Sequence, residues 1–438
     1  MREGDIVSHK VIVVKIDKTE EIVGADNIKV AYVLGQQVIV SKDWVEGMVG
    51  VYFEPDLQLS GDYCSKNNLF RKAAFNTDTN KKGFFEDNRR VRCQPFMKVR
   101  SEGFFSTLES LAWTGYDMTA LKLGDQFDIL NGHKICEKYY SAATLKAKNN
   151  ATKKKKLVDT PMFYKHVNTD QFAYYADGIP SGALLSFHHK VHGTSARYSY
   201  SKVIRTPSNW KEKLKNYLNI FKAESWEYLV GTRNVVLYEG QYKEGFHGNE
   251  QYRFDVLEQL KPFLEKGMSV YGEIAGFVNG KPVMSAHNTK ALKDKAFSNK
   301  YGKEMLYKYG CEEEELRFHI YRITYTNEEG NELDFSDQQV HAWCESRNLL
   351  SPVEVYSPFI YTRSTDTEEA LKKLVVSLTE RPEVLTEDYV DPTHINEGIV
   401  IRVDYKTQVP KFYKSKSYAF KVMEGTAKEV GIDYEDAN

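Results

Sequence analysis

The chain has 438 residues, 41% hydrophobic and 28% charged, a balance that fits a globular protein with two or three separately cored domains. Its 60 lysines and arginines meet 61 acids, leaving a formal net charge of −1, so composition excludes a global pull toward nucleic acid and any such surface must come from local clustering. Cys64, Cys93, Cys136, Cys311 and Cys344 form no Cys-x-x-Cys pair and the first residues, Met1-Arg2-Glu3-Gly4-Asp5, carry acids, so a disulfide framework, a signal peptide and a membrane span are not expected and a cytoplasmic setting is, or host cytoplasm if the source is viral.

Short β-branched or aromatic runs open the chain at residues 11–16, 29–34, 37–40 and 49–53, punctuated by Gly24, Asp26-Asn27, Gly35-Gln36 and Gly47. The punctuation predicts strands joined by tight turns, spaced closely enough for a small barrel or sandwich. Further strands are expected over 91–99 and 126–130, closing a first domain over residues 1–135. Between them, 61–88 reads as an elaborated polar loop. Arg90, Arg92, Lys98 and Arg100 then interleave with Phe96 and Phe104-Phe105, a pattern that suits backbone tracking and base stacking. It equally describes a solvated strand face with its aromatics in the core.

Residues 144–157 hold six lysines and no acid, the signature of a solvated linker, so 136–160 is assigned as the boundary. Phosphate contact by Lys153, Lys154, Lys155 and Lys156 is a second reading of the same run. Beyond residue 161 helices and strands mix. Trp210, Leu214, Tyr217, Leu218 and Phe221 fall at helical spacing, as do Ala370, Leu371, Leu374, Val375 and Leu378 with Thr365 or Asp366 near the cap, and both stripes are expected to face the core. Strand-like runs cover 183–187, 235–238, 269–274, 318–324, 397–403 and 418–422. This mixed order with antiparallel potential predicts an α+β fold.

Four sets of residues in this second part suit phosphoryl chemistry: Lys190-Val191-His192-Gly193, Tyr271-Gly272-Glu273, Glu397-Gly398-Ile399-Val400-Ile401-Arg402 and Lys414-Ser415-Lys416. A lysine attacks phosphorus only when neutral, which requires desolvation, neighbouring cations or a metal. Lys414, Lys416 and Arg233, brought near Lys190, are expected to favour its neutral form. Two lysines one residue apart on a strand share a face and can grip one phosphate. Alone, Glu273 or Glu397 would read as a surface ion pair.

In that order the four sets resemble the motifs of the covalent nucleotidyltransferases, the nucleic-acid ligases and messenger-RNA capping enzymes. The resemblance implies that Lys190 accepts AMP from ATP, that Lys414 and Lys416 bind phosphates, that Glu273 binds the ribose hydroxyls or metal-bound water, and that Glu397 orients water on magnesium or manganese. It implies nucleotide contacts from His192 and Gly193, where a histidine in place of the commoner aspartate is typical of one RNA ligase branch. His189 stands where many ligases carry glutamate, leaving the contact to the adenine edge open. Gly231-Thr232-Arg233-Asn234 is similar to a short motif whose arginine holds ribose or the acceptor 5′-phosphate. An aromatic strand supplies Phe318 as first choice for stacking on adenine and Tyr321 as second.

The front third resembles the OB-fold module of one RNA ligase branch, through Gly24-Ala25-Asp26-Asn27-Ile28, Phe53-Glu54-Pro55-Asp56 and the run from Arg90-Val91-Arg92 to Arg100-Ser101-Glu102-Gly103. Together these likenesses imply an ATP-dependent RNA ligase of the nick-sealing, phage RNA ligase 2-like type. They imply an amino-terminal OB-fold β-barrel over 1–135, a linker over 136–160, and an adenylyltransferase domain of antiparallel sheets with flanking helices over 161–438. The expected partner of this monomer is a nicked RNA duplex or RNA/DNA hybrid, with Arg90, Arg92, Lys98 and Arg100 on the nucleic-acid surface. DNA ligases and capping enzymes usually continue into another domain after the last motif, and only a short tail follows Lys416. A DNA ligase or guanylyltransferase of the same superfamily and a non-catalytic nucleic-acid-binding relative stay open as alternatives.

Overall fold

The computed structural model describes residues 9–150, 158–207, 210–218, 223–238, 250–386, 390–406 and 409–430. In the amino-terminal region, β1 (Val11–Lys15), β2 (Ile28–Val33), β3 (Gln36–Ser41), β4 (Val49–Phe53) and β5 (Phe104–Thr107) follow the β-branched runs of the sequence. Strands β1, β4 and β5 join Gln126–Phe127 in one four-stranded sheet, while β2 and β3 join Lys18–Glu21 in a separate three-stranded one. Alternation buries both faces: Val11, Val13, Val51 and Phe53 enter one core, and Ile12, Val14, Val38, Val40, Tyr52 and Phe105 the other. Among the described residues no sheet closes on itself, so the expected barrel is replaced by these two open sheets and smaller two-stranded ones.

Two other expectations change here. Residues 61–88 are more than a loop, since Ser60 caps a short helix, Gly61–Lys66, and Tyr63, Cys64, Phe70 and Phe85 are buried. The single strand expected over 91–99 is a hairpin of Cys93–Phe96 with Val99–Glu102.

The remainder is built on β6 (Leu184–His189), β7 (Thr194–Arg205), β8 (Glu224–Gly231), β9 (Met268–Val278), β10 (Leu316–Thr326), β11 (Glu354–Ile360), β12 (Gly398–Asp404) and β13 (Lys411–Lys416). Strands β8, β7, β9 and β10 lie in that order within an eight-stranded sheet, and β13, β12, β6 and β11 within a five-stranded one. Every pairing among these eight is antiparallel; the short strand Thr169–Gln171 joins β13 in parallel. The chain crosses from one sheet to the other between β6 and β7. That crossing is Lys190-Val191-His192-Gly193.

Helices flank the sheets, among them Gln251–Leu260, whose Tyr252, Val256, Leu257 and Leu260 enter the core of the larger one. Helix α1 (Asp337–Glu345) seats Val340 and Trp343 on the core of the larger sheet with Ile320 and Ile323. Helix α2 (Thr365–Thr379) packs Leu371, Val375 and Leu378 on Phe187, Ile399 and Ile401, and its cap is Ser364 in a capping box with Thr367. Helix α3 (Tyr418–Val430) occupies the stretch expected to be a strand. Its apolar residues Tyr418, Val422, Phe420 and Met423 are buried at helical spacing, a period that a five-residue window does not separate from a strand's.

The other expected amphipathic helix forms over Trp210–Tyr217, but Trp210 is 70% and Tyr217 83% exposed, so its stripe is not a core face; Phe221 lies outside the described residues, as do Lys153, Lys154, Lys155 and Lys156. All five cysteines are buried and none forms a disulfide. No described helix is long and apolar enough to cross a membrane.

Candidate active site

A cleft of about 1450 Å³ lies where the two sheets diverge, and Lys190, His192, Gly193, Arg233, Glu273, Tyr321, Glu397, Lys414 and Lys416 line it. Local geometry explains the glycines of its motifs. A Cβ on Gly193 would stand 2.2 Å from the Ile274 carbonyl oxygen, and one on Gly398 2.0 Å from that of Ser415, so each lets two strands approach where a side chain could not fit. The Lys190 amide then donates to the Gly398 carbonyl at 2.9 Å, tying the crossing segment to the start of β12.

The centre of the cleft is one carboxylate. Lys190 Nζ is 2.9 Å and Lys416 Nζ 3.3 Å from Glu397 Oε1, and His192 Nδ1 is 3.4 Å from Glu397 Oε2. Burial alone would raise the Glu397 pKa, but the lysine charges and His192 outweigh it and hold the carboxyl well below its usual range. Lys416 also pairs with Glu424 at 2.8 Å.

This geometry corrects the expectation of a nucleophile poised neutral. Burial pushes the Lys190 pKa down, but Glu397 and Glu273 push it up by more, so the ligand-free protein holds Lys190 as an ammonium. The depressed lysine is Lys414, lowered to about 8 by burial and by neighbouring Lys416, against the opposing charge of Glu54. Glu54, from the end of β4, is itself raised to about 7 by burial despite the charge of Lys414. One wall of the cleft therefore comes from the amino-terminal region.

Of the aromatic candidates, Tyr321 lines the cleft beside His166, to which its hydroxyl hydrogen-bonds. Phe318 does not: it packs edge-on against Tyr198 in the core, filling the space that Gly272 leaves open. His189 is also removed from hydrogen-bonding a nucleotide, since Nδ1 faces Asn396 Oδ1 at 3.2 Å and Nε2 accepts from the Leu385 amide at 3.1 Å. Burial lowers its pKa to about 4, keeping the ring neutral and positioning β6 against the loop before β12. Arg233 reaches the cleft from the turn after β8, with Asn168 Oδ1 3.4 Å from its guanidinium.

The expected nucleic-acid surface is altered more deeply. Arg90 is only 4% exposed: it pairs with Asp56, donates to the Gly425 carbonyl at 2.7 Å and stacks on Tyr139. Arg100 pairs with Glu380 at 2.8 Å and lies over Tyr418. These two arginines link the amino-terminal region to α3 and its surroundings, Arg90 from a buried position and Arg100 from the surface, where Arg92 and Lys98 are also exposed.

Residues 185–423, more than half of the chain, match the RNA ligase family. The chain belongs to that family. Solved structures of Naegleria gruberi RNA ligase share its fold: a variant with AMP and Mn aligns with a TM-score of 0.55 and 14% identity over 94% of this chain and 97% of that one. A second variant, with ATP and Mn, gives 0.54 and 15% over 94% and 98%, and the ligase with PPi gives 0.55 and 14% over 94% and 98%. No curated protein sequence matches the chain.

In this RNA ligase family member the motifs account for only part of the site. Arg197, buried in β7, donates to the carbonyls of Phe163, Tyr164 and Thr232 and so fixes the turn that carries Arg233. Arg253 does the same for the crossing segment, donating to the Ser195 carbonyl at 2.9 Å and Thr194 Oγ1 at 2.8 Å. Arg197 ends the Lys190 run and could have drawn notice there; nothing local marks Arg253 or Glu424. Glu397 Oε2 is buried with no hydrogen-bond partner, the His192 nitrogen being too far for a good bond. An orphaned carboxylate oxygen facing a cleft rich in cations fits a divalent cation or its bound water.

Proposed function

We propose that the protein is an ATP-dependent RNA ligase that seals nicks in duplex RNA or RNA/DNA hybrids through a lysyl-AMP intermediate. The convergence of Lys190, Lys416 and His192 on buried Glu397 carries this reading, with the family membership and the ATP-, AMP- and Mn-bound Naegleria structures in support. Lys190 Nζ attacks the α-phosphorus of ATP, forming a P–N bond as pyrophosphate departs. An RNA 5′-phosphate oxygen next displaces the lysine, and a 3′-hydroxyl then displaces AMP to close the strand.

Lys190 must lose its proton first, so Glu397 has to find another positive partner when nucleotide is present. Glu397 and Glu273, both lining the cleft, would hold a divalent cation directly or through water, and that ion would supply the positive charge and offset phosphate negativity. Lys414 and Lys416 hold the triphosphate, Arg233 the ribose or acceptor phosphate, and Tyr321 stacks on adenine. The finer reading of the architecture is an OB-type region over 1–135, a linker over 136–160 whose first residues, Cys136–Lys138, pair with Leu57–Leu59 of that region, and an adenylyltransferase domain over 161–438, with the exposed Arg92, Lys98 and Arg100 as basic contacts to the duplex. His192 in place of aspartate supports the nick-sealing, phage RNA ligase 2-like branch.

The test pairs two nicked duplexes with identical sequence, one ending in 3′-ribonucleotides and one all DNA, at matched salt. The 3′-ribonucleotide nick is expected to seal much faster, whether ATP or a pre-adenylylated 5′ end is supplied, because A-form geometry and ribose hydroxyls are read at the joining step. Equal rates would move the assignment to a DNA ligase.

A further inference from the structure

Two residues before Lys190, His188 turns its side chain to the face of β6 opposite the Phe187 core, toward α1. There it meets Asp337 and His341, placed at i and i+4 on one face of that helix. His188 Nε2 lies 3.1 Å from His341 Nε2 and 3.3 Å from Asp337 Oδ2, and the His341 nitrogen is 3.9 Å from the same oxygen. His188 and Asp337 are buried, His341 is half-buried, and all three line the cleft.

We propose that these residues form a second, transition-metal site, separate from the Glu397 carboxylate, that takes zinc or a similar borderline divalent ion. Three ligand atoms of a tetrahedral zinc with bonds of ~2.0–2.1 Å stand ~3.3 Å apart. The observed triangle, with edges of 3.1, 3.3 and 3.9 Å, is close to one face of that tetrahedron. Two imidazole nitrogens and one carboxylate oxygen favour zinc, cobalt or nickel over magnesium, which prefers an all-oxygen, largely hydrated shell.

The surroundings suit a metal site. Ser351 Oγ is 2.8 Å from His341 Nδ1; with Nε2 on the ion, Nδ1 carries the proton and donates it to that oxygen, which holds the ring in place. Arg402, the cation nearby, is already paired with Asp404 at 3.0 Å and bonded to the Phe335 carbonyl. The fourth ligand is water entering from the cleft.

The site joins the two sheets, because His188 belongs to the smaller one and α1 packs on the larger. A metal here pins the strand that delivers Lys190. It also explains a buried His–Asp–His cluster for which adenylyl transfer gives no use.

The test titrates chelator-stripped full-length protein with zinc against a chromophoric competitor, in excess magnesium to occupy oxygen-rich sites. Wild type should bind one tight equivalent, and cobalt in its place should give the intense visible bands of tetrahedral coordination. His341→Gln should lose that equivalent, Glu397→Gln should keep it, and Ser351→Ala should weaken it on the order of 10-fold. Absence of tight zinc binding in wild type would overturn the proposal, leaving the cluster as a hydrogen-bonded network without metal. So would unchanged affinity in His341→Gln or, if that variant fails to fold, in Ser351→Ala.

Discussion

The two regions that face each other across the cleft use basic residues in opposite ways. Around Glu397, Lys190 from the crossing segment and Lys416 from the end of β13 converge on one oxygen, at a place where the chain crosses between sheets and side chains meet a large open volume. In the amino-terminal region Arg90 and Arg100 are engaged with Asp56, Glu380 and the α3 segment, where they hold two parts of the molecule together. The difference teaches that alternation of basic and aromatic residues does not distinguish a binding surface from an internal joint. A cation's role is set by what the fold places opposite it.

Substitution should therefore separate chemistry from stability. The largest effect is expected at Lys416→Met, which removes one of two cations on Glu397: single-turnover adenylylation should slow on the order of 10²–10³-fold, with the fold retained because Lys190 still faces Glu397 and Lys428 still faces Glu424 at 3.2 Å. Arg90→Ala should do the reverse. It breaks a buried pair and its stacking on Tyr139, and because Lys428 still faces Asp56 at 3.3 Å the loss should fall near the low end for such pairs, about 3 kcal/mol in denaturant unfolding. A variant of Arg90 with native stability, or of Lys416 with native rate, would erase the contrast.

A smaller effect links the regions through Glu54 and Lys414. With its folded pKa near 8, Lys414 is charged below that value and neutral above it, so nucleotide affinity should weaken as pH rises from 7 to 9. The charged form is disfavoured in the fold, so Lys414 lowers stability most below pH 8, and that penalty fades toward the ordinary lysine range. Glu54→Gln removes an opposing negative charge and should move the loss of affinity to lower pH, measured by nucleotide titration across the range. Smallest of all, Trp210→Ser should change stability by within about 0.5 kcal/mol, since the side chain is 70% exposed.

Legibility in the sequence followed the length of the pattern. The runs around β1 to β4, β9, β10 and β12, and the α2 stripe, are long or strongly alternating, and the structure forms them where expected. The run at 418–422 is too short to separate a period of 2 from one of 3.6, and became the start of α3. Trp210 and Tyr217 have helical spacing, yet spacing carries no information about what covers a face. In the site, residues in compact motifs such as Lys190, Glu397 and Lys416 could be found because each motif holds its own glycine or paired lysine. Arg253 acts through partners distant in sequence and Glu424 through Lys416, across the junction from β13 to α3, and Phe318 and Tyr321 differ only in which side of β10 faces the cleft.

Position overrides resting acidity in this cleft: Lys414 has the depressed pKa, but Lys190 is the lysine held at the Glu397 carboxylate. Mass spectrometric mapping of protein incubated with ATP and magnesium tests it directly. AMP should be found on Lys190 alone, acid-labile, and absent from Lys190→Ala; AMP on Lys414, or label retained in Lys190→Ala, would contradict the account.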